Sequence, residues 1–153
     1  SSLAERIRAI PMNPCWVVMA QLRGLDLPFH GAVVEGSPLG WIANNGSKPG
    51  REEGCWVLHG TPEWSADHLE EDPETIPEVL LSAFREATGV SGIDVGYVTA
   101  HRWRYALAPE PIGEGYLYDG EARLGACGDW CLAPDVEGAY RSGLAMAGRL
   151  LEE

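Results

Sequence analysis

Positive charge is scarce in this chain. Lys and Arg total 11 against 23 Asp and Glu, giving a formal net charge of −12. Nucleic acids and anionic membrane surfaces demand a basic footprint, so neither is an expected partner. Long apolar runs are also missing, and nothing approaches the roughly 20 apolar residues of a membrane-spanning helix. The opening Ser1-Ser2-Leu3-Ala4-Glu5-Arg6 lacks the apolar centre of a signal peptide. The expectation is a cytoplasmic chain with reduced thiols.

Several catalytic patterns are absent as well. There is no His-Glu-x-x-His, no Ser-His-Asp order and no paired-carboxylate motif. A dinucleotide site needs a strand, a G-x-G-x-x-G turn and a helix. The nearest approach, Gly113-Glu114-Gly115, lies in a proline-rich loop and does not qualify. His30, His59 and His68 are scattered and are expected to be structural or solvent-exposed. Cys15 and Cys55 sit in apolar strand-like runs and are expected as buried thiols. Cys127 and Cys131 form a C-x-x-x-C without zinc-knuckle spacing or a nearby histidine, so no metal site is expected; a redox or metal pair there is the lesser alternative.

At 153 residues the chain can bury one sizeable core. Leu3 to Ile10 has helical spacing and stops before Pro11. Strands are expected at Cys15–Leu22, Gly31–Glu35, Leu39–Asn44 and Cys55–Gly60, with Asn45-Gly46 opening a longer loop. A short helix follows over Trp64–Glu71. Thr75 and Glu78 have the spacing of a capping box, with Ile76, Val79, Leu80, Ala83, Phe84 and Ala87 as the apolar face and Gly89 as C-cap. Seven acidic residues between Glu63 and Glu78 suggest a solvated face, with a cation site or basic partner as the minor reading. Val95–Ala106 is expected as a long strand whose His101, Trp103 and Tyr105 share one side. Those aromatics suit either a flat apolar pocket or core packing under a sheet. Tyr116–Tyr118 and Arg123–Cys127 are expected to pair through Asp119-Gly120. The order of elements predicts an α+β fold with a largely antiparallel sheet.

The most informative stretch is Leu124 to Leu151. It is expected as a short buried strand, a break at Gly128-Asp129, and a helix from Val136 with Asp135 as N-cap. The helix carries Gly138, Gly143 and Gly148, each costing about 1 kcal/mol relative to alanine. Close approach of a sheet, a helix or a ligand would compensate. Gly138 lies in the first turn, where free N–H groups and the helix dipole favour an anion or an electron-rich ring edge.

Gly128-Asp129-Trp130, then Pro134-Asp135-Val136-Glu137-Gly138-Ala139 and Ser142-Gly143, resemble the C-terminal flavin-binding segment of the FAD-dependent amine oxidase superfamily, and its renalase-like branch in particular. The resemblance implies that Gly128 and Asp129 lie against the phosphate and ribityl region of FAD. It implies that Val136, Glu137, Gly138 and Ala139 lie under the flavin ring, with backbone N–H groups toward its pyrimidine end. Trp103 and Tyr105 would stand on the substrate side, and no residue is assigned a proton-transfer role. Residues 1–12 would end a flavin-domain helix, 13–108 would form the substrate-domain sheet, and 109–153 would supply the flavin-binding strand and helix.

Because the G-x-G-x-x-G half is missing, the resemblance implies half a flavin site in a chain matching the C-terminal portion of such a protein. The parent reaction would pass hydride from an amine or a reduced nicotinamide, NAD(P)H, to FAD, with reoxidation by dioxygen. The missing N-terminal half would be a partner, and an uncovered last helix would favour self-association. The alternative is a cofactor-free binding or dimerisation module built on the same sheet.

Overall fold

The computed structural model describes residues 2–152. In chain order the elements are α1 (Leu3–Arg8), β1 (Asn13–Arg23), β2 (Gly31–Val33), β3 (Leu39–Asn44), β4 (Cys55–Gly60), α2 (Pro62–Asp67), α3 (Ile76–Thr88), β5 (Asp94–Leu107), β6 (Leu117–Asp119), β7 (Leu124–Ala126), α4 (Asp129–Leu132) and α5 (Val136–Leu151). A single 3-10 turn, Asn45–Ser47, follows β3. The fold is α+β with a mostly antiparallel five-stranded sheet, ordered β2-β3-β4-β1-β5. The chain divides into two compact units, one of Pro14–Arg104 and one of Ser1–Asn13 with Tyr105–Glu153.

The first unit is built on alternation along β1, with Val17 also buried on the side away from the main core. Trp16, Val18, Ala20 and Leu22 enter the core, while Met19 and Arg23 are exposed on the other side. Antiparallel pairing sets Val18 opposite Leu58 and Ala20 opposite Trp56, so β4 presents its own apolar set to the same face. The helix α3 closes that face with Ile76, Leu80, Leu81, Ala83 and Phe84. Its buried side is rotated from the expected one: Leu81 is inside, while Val79 and Ala87 are exposed.

The expected capping box at Thr75 does not form; the Thr75 hydroxyl donates instead to the Asp72 carbonyl at 2.8 Å. A capping box does exist at Ser2 and Glu5, which the sequence reading passed over. At the other end of α3, Gly89 caps with a left-handed φ of 70°, as its position suggested.

Three rings tie the layers together. Trp56 meets Phe29 at 6.3 Å and Phe84 at 5.7 Å between centroids, both edge to face. On the edge strand, Arg102 lies 5.3 Å over the Trp16 ring and donates to the Leu69 carbonyl at 2.6 Å. A Cβ on Gly96 would meet Gln21 and Arg23, and Asp94 pairs with Arg23, so the contacts of β5 run in the opposite order to those of β1.

The acidic residues between Glu63 and Glu78 are all exposed, and Glu70 among them has a structural task. Glu70 accepts two bonds from Arg104, at 2.6 and 2.9 Å, which hold its carboxyl below the usual carboxylate range.

In the second unit, β6 and β7 form a separate two-stranded sheet. Asp119 Oδ1 accepts from the N–H groups of Glu121 and Ala122, so the connection is a four-residue loop and not a two-residue turn. The segment expected as a buried strand is largely exposed: Leu124, Gly125 and Cys127 all face solvent. The helix α5 covers one side of this pair, with Met146 against Gly125 and Arg149 4.7 Å over the Tyr118 ring, while Leu124 is left at the surface, a difference that apolar composition alone does not report.

Phe84→Ala removes the ring that joins α3 to the sheet. It is expected to lower unfolding free energy by about 3–5 kcal/mol in chemical denaturation. A loss below about 1 kcal/mol would mean that α3 does not close this core.

Candidate functional site

Gly128 leads into α4 with an extended backbone, and the chain then turns through Ala133 and Asp135 into α5. Asp135 caps the helix as its type and position suggested, its Oδ1 accepting from the Gly138 N–H at 2.6 Å. The first backbone bond of the helix runs from Ala139 N–H to Asp135 carbonyl at 3.0 Å. The N–H groups of Val136 and Glu137 therefore precede every intrahelical bond and are the pair left for an outside acceptor.

The turn is held from behind by Ser142. Its hydroxyl is fully buried, accepts from the Gly128 N–H at 3.0 Å and donates to the Gly115 carbonyl at 2.7 Å. The 108–115 loop adds bonds from Ile112 N–H to Trp130 carbonyl and from Gly113 N–H to Cys131 carbonyl. Asp129 uses its Oδ1 on the Trp130 N–H at 3.0 Å.

The three helix glycines have different reasons to exist. Gly138 is buried, and a Cβ there would collide with the backbone carbonyl of Ala133. Close approach of the chain's own turn accounts for it, so no ligand is required at that position. Gly143 and Gly148 have open space within 4 Å of where a Cβ would stand. Gly143 lies on an exposed stripe with Val136, Tyr140, Leu144 and Leu151, which are 88, 70, 60 and 88% exposed. At 100° per residue these positions fall within an arc of about 100° on α5.

Two concavities flank the segment within this unit. Leu132, Ala133, Asp135, Glu137, Gly138 and Arg141 line a polar cleft of about 380 Å³. Ile7, Arg8, Ile10, Met12, Tyr105, Ala126, Cys127 and Trp130 line a more apolar cavity of about 570 Å³. Of the candidate residues, Glu137 and Gly138 share the first, and Tyr105 lines the second beside the Gly128-Asp129 turn. Trp103 joins neither. It belongs to the other unit, is exposed, and stacks edge-on with His101 at 4.6 Å.

Sequence reasoning missed Arg8, Ile10 and Met12, because nothing local links the opening segment to Tyr105 and the Ala126–Trp130 stretch, which are far away in the chain. Cys15 and Cys55, expected as buried thiols, are only partly buried. The sequence reading also took Cys15 and His59 separately and did not pair them, yet their Sγ and Nδ1 lie 3.8 Å apart on paired strands. Burial pushes the thiol up and the imidazole down from their ordinary values. Both are neutral near pH 7, and the thiol has the Gly60 carbonyl at 3.6 Å. An activated thiolate needs the reverse environment, so this pair is a packed, neutral contact.

Cys127 is exposed and Cys131 buried, and all four cysteines are free. Among the described residues no group of three or more His, Cys, Asp or Glu is placed to hold a metal ion. No helix of the described residues is long and apolar enough to cross a membrane. No protein-family model matches the chain.

The glycines give a paired test. Gly143→Ala should stabilise the protein by about 0.5–1 kcal/mol, since only helix propensity changes. Gly138→Ala should destabilise it by about 1–3 kcal/mol, since backbone must move. Equal effects in thermal or denaturant melts would contradict the packing described at Ala133.

Proposed function

We propose that this chain is the C-terminal portion of a renalase-like FAD-dependent oxidoreductase and carries one side of its flavin site. The observation that carries the reading is the start of α5: a capped helix whose first two N–H groups precede every intrahelical bond, on a helix that Ser142 ties to the Gly128-Asp129 turn. Helix N-termini of this kind suit phosphate groups and electron-rich ring edges.

The residues fit a flavin in part. Val136 and Glu137 would meet it through backbone N–H groups, and Asp129 and Gly128 would lie along its polar chain. Gly138 and Ala139 contribute by shaping the turn. When bound, FAD supplies the hydride acceptor, for a substrate that is an amine or a reduced nicotinamide, with dioxygen restoring the oxidised form. The protein's own part is binding, orientation and exclusion of water. No side chain is assigned to move a proton.

The uncovered stripe of α5 supports the same reading, since the sheet of the missing dinucleotide-binding half would cover it. That stripe equally favours the alternative, a cofactor-free module that pairs through α5.

Absorbance spectra separate the two. FAD should bind weakly to this chain alone and give protein-shifted flavin bands when a renalase-like N-terminal half is supplied in trans. Tight binding by this chain alone would overturn the half-site. No binding in either mixture would favour the cofactor-free module.

A further inference from the structure

We propose that the cavity between α1 and the Ala126–Trp130 segment binds a flat, apolar carboxylate, with Arg8 as its charge partner. As a statement about substrate this rests on the oxidoreductase reading; as a statement about binding it does not.

The walls are chemically one-sided. Ile10 and Met12 supply aliphatic surface, and Tyr105 and Trp130 supply rings. The volume of about 570 Å³ lies within the range of small-molecule sites and admits a fused ring system. Arg8 is the single charged side chain of the lining. Among the described residues it has no ion pair, whereas Arg6, on the same helix, is engaged by Glu114. Arg8 is exposed, so in a chain of net charge −12 its guanidinium stands at the mouth of the apolar walls, able to meet an anionic group without breaking an existing ion pair. A guanidinium matches a carboxylate through two parallel N–H bonds, while a cationic amine would meet like charge at the same place. Within the oxidoreductase reading, this narrows the substrate to one bearing an anionic group.

The test needs no flavin. Three isosteric probes, 2-naphthoate, 2-naphthalenemethanol and 2-naphthylmethylammonium, are titrated into the whole chain, with NMR shifts of the Trp130 indole N–H and the Cys127 amide as readout. Naphthoate should bind tightest and the ammonium probe weakest. Arg8→Gln should weaken naphthoate up to about fivefold, the size of a partly exposed ion pair, and leave the alcohol unchanged. Arg8→Lys should keep part of the preference.

Equal affinity for the three probes would overturn the proposal. So would shifts appearing at Trp41 and Trp103 with Trp130 unmoved. If naphthoate binds as stated while FAD binds under no condition, the carboxylate site stands and the oxidoreductase reading fails.

Discussion

One buried hydroxyl decides the geometry of the C-terminal segment. Ser142 sits nearly two turns into α5 and bonds both Gly128 and Gly115. Replacing it with an apolar residue would strand an N–H and a carbonyl, each costing roughly 1–3 kcal/mol when withdrawn from water. Because a helix is stiff, fixing Ser142 also fixes where its first turn lies relative to Gly128 and Asp129. The Val136 and Glu137 N–H groups, which precede the intrahelical bonds, are thereby held in place relative to that turn. Ala133 then crosses so close to the first turn that only glycine fits at 138. Cap, turn and glycine are therefore parts of one arrangement.

The sheet unit uses the same device. Ser65 is fully buried and accepts from the Trp16 N–H at 3.0 Å, while the Trp16 indole donates to the His68 carbonyl at 2.9 Å. Arg102 lies over the same ring and bonds Leu69, so the segment after α2 is fastened from both sides. The acidic face is consequently more than solvation: through Glu70 it also pairs with Arg104 on β5, the strand at the sheet edge. What remains is an outer sheet face with Val33, Trp41, Tyr97 and Trp103 exposed.

The elements most legible in the sequence are those specified by local chemistry. Alternation in β1 and β4 announces their faces, and Gly89 and Asp135 mark helix ends because a left-handed C-cap and a side-chain N-cap are local needs. The Thr75 box failed because Asp72 offered its carbonyl to the same hydroxyl. Leu124 to Cys127 looked buried because apolar composition does not report how much of a strand a second layer covers: Met146 of α5 lies against Gly125, yet Leu124 stays exposed. Trp103 and Tyr105 share a strand face, yet they belong to different units, and sequence alternation carries no information about where a unit ends. The apolar cavity was illegible for a related reason: Arg8, Tyr105 and Trp130 meet only through the fold.

The start of α5 is proposed as one side of a flavin site. The most direct test of that proposal is an NMR titration of the chain with FAD at millimolar concentration, following backbone amides. Shifts concentrated at Val136 and Glu137 are expected, with smaller ones at Gly128 and Asp129, and none in β1 to β4. Shifts confined to the outer sheet face, or no shifts at α5 at saturating ligand, would contradict it.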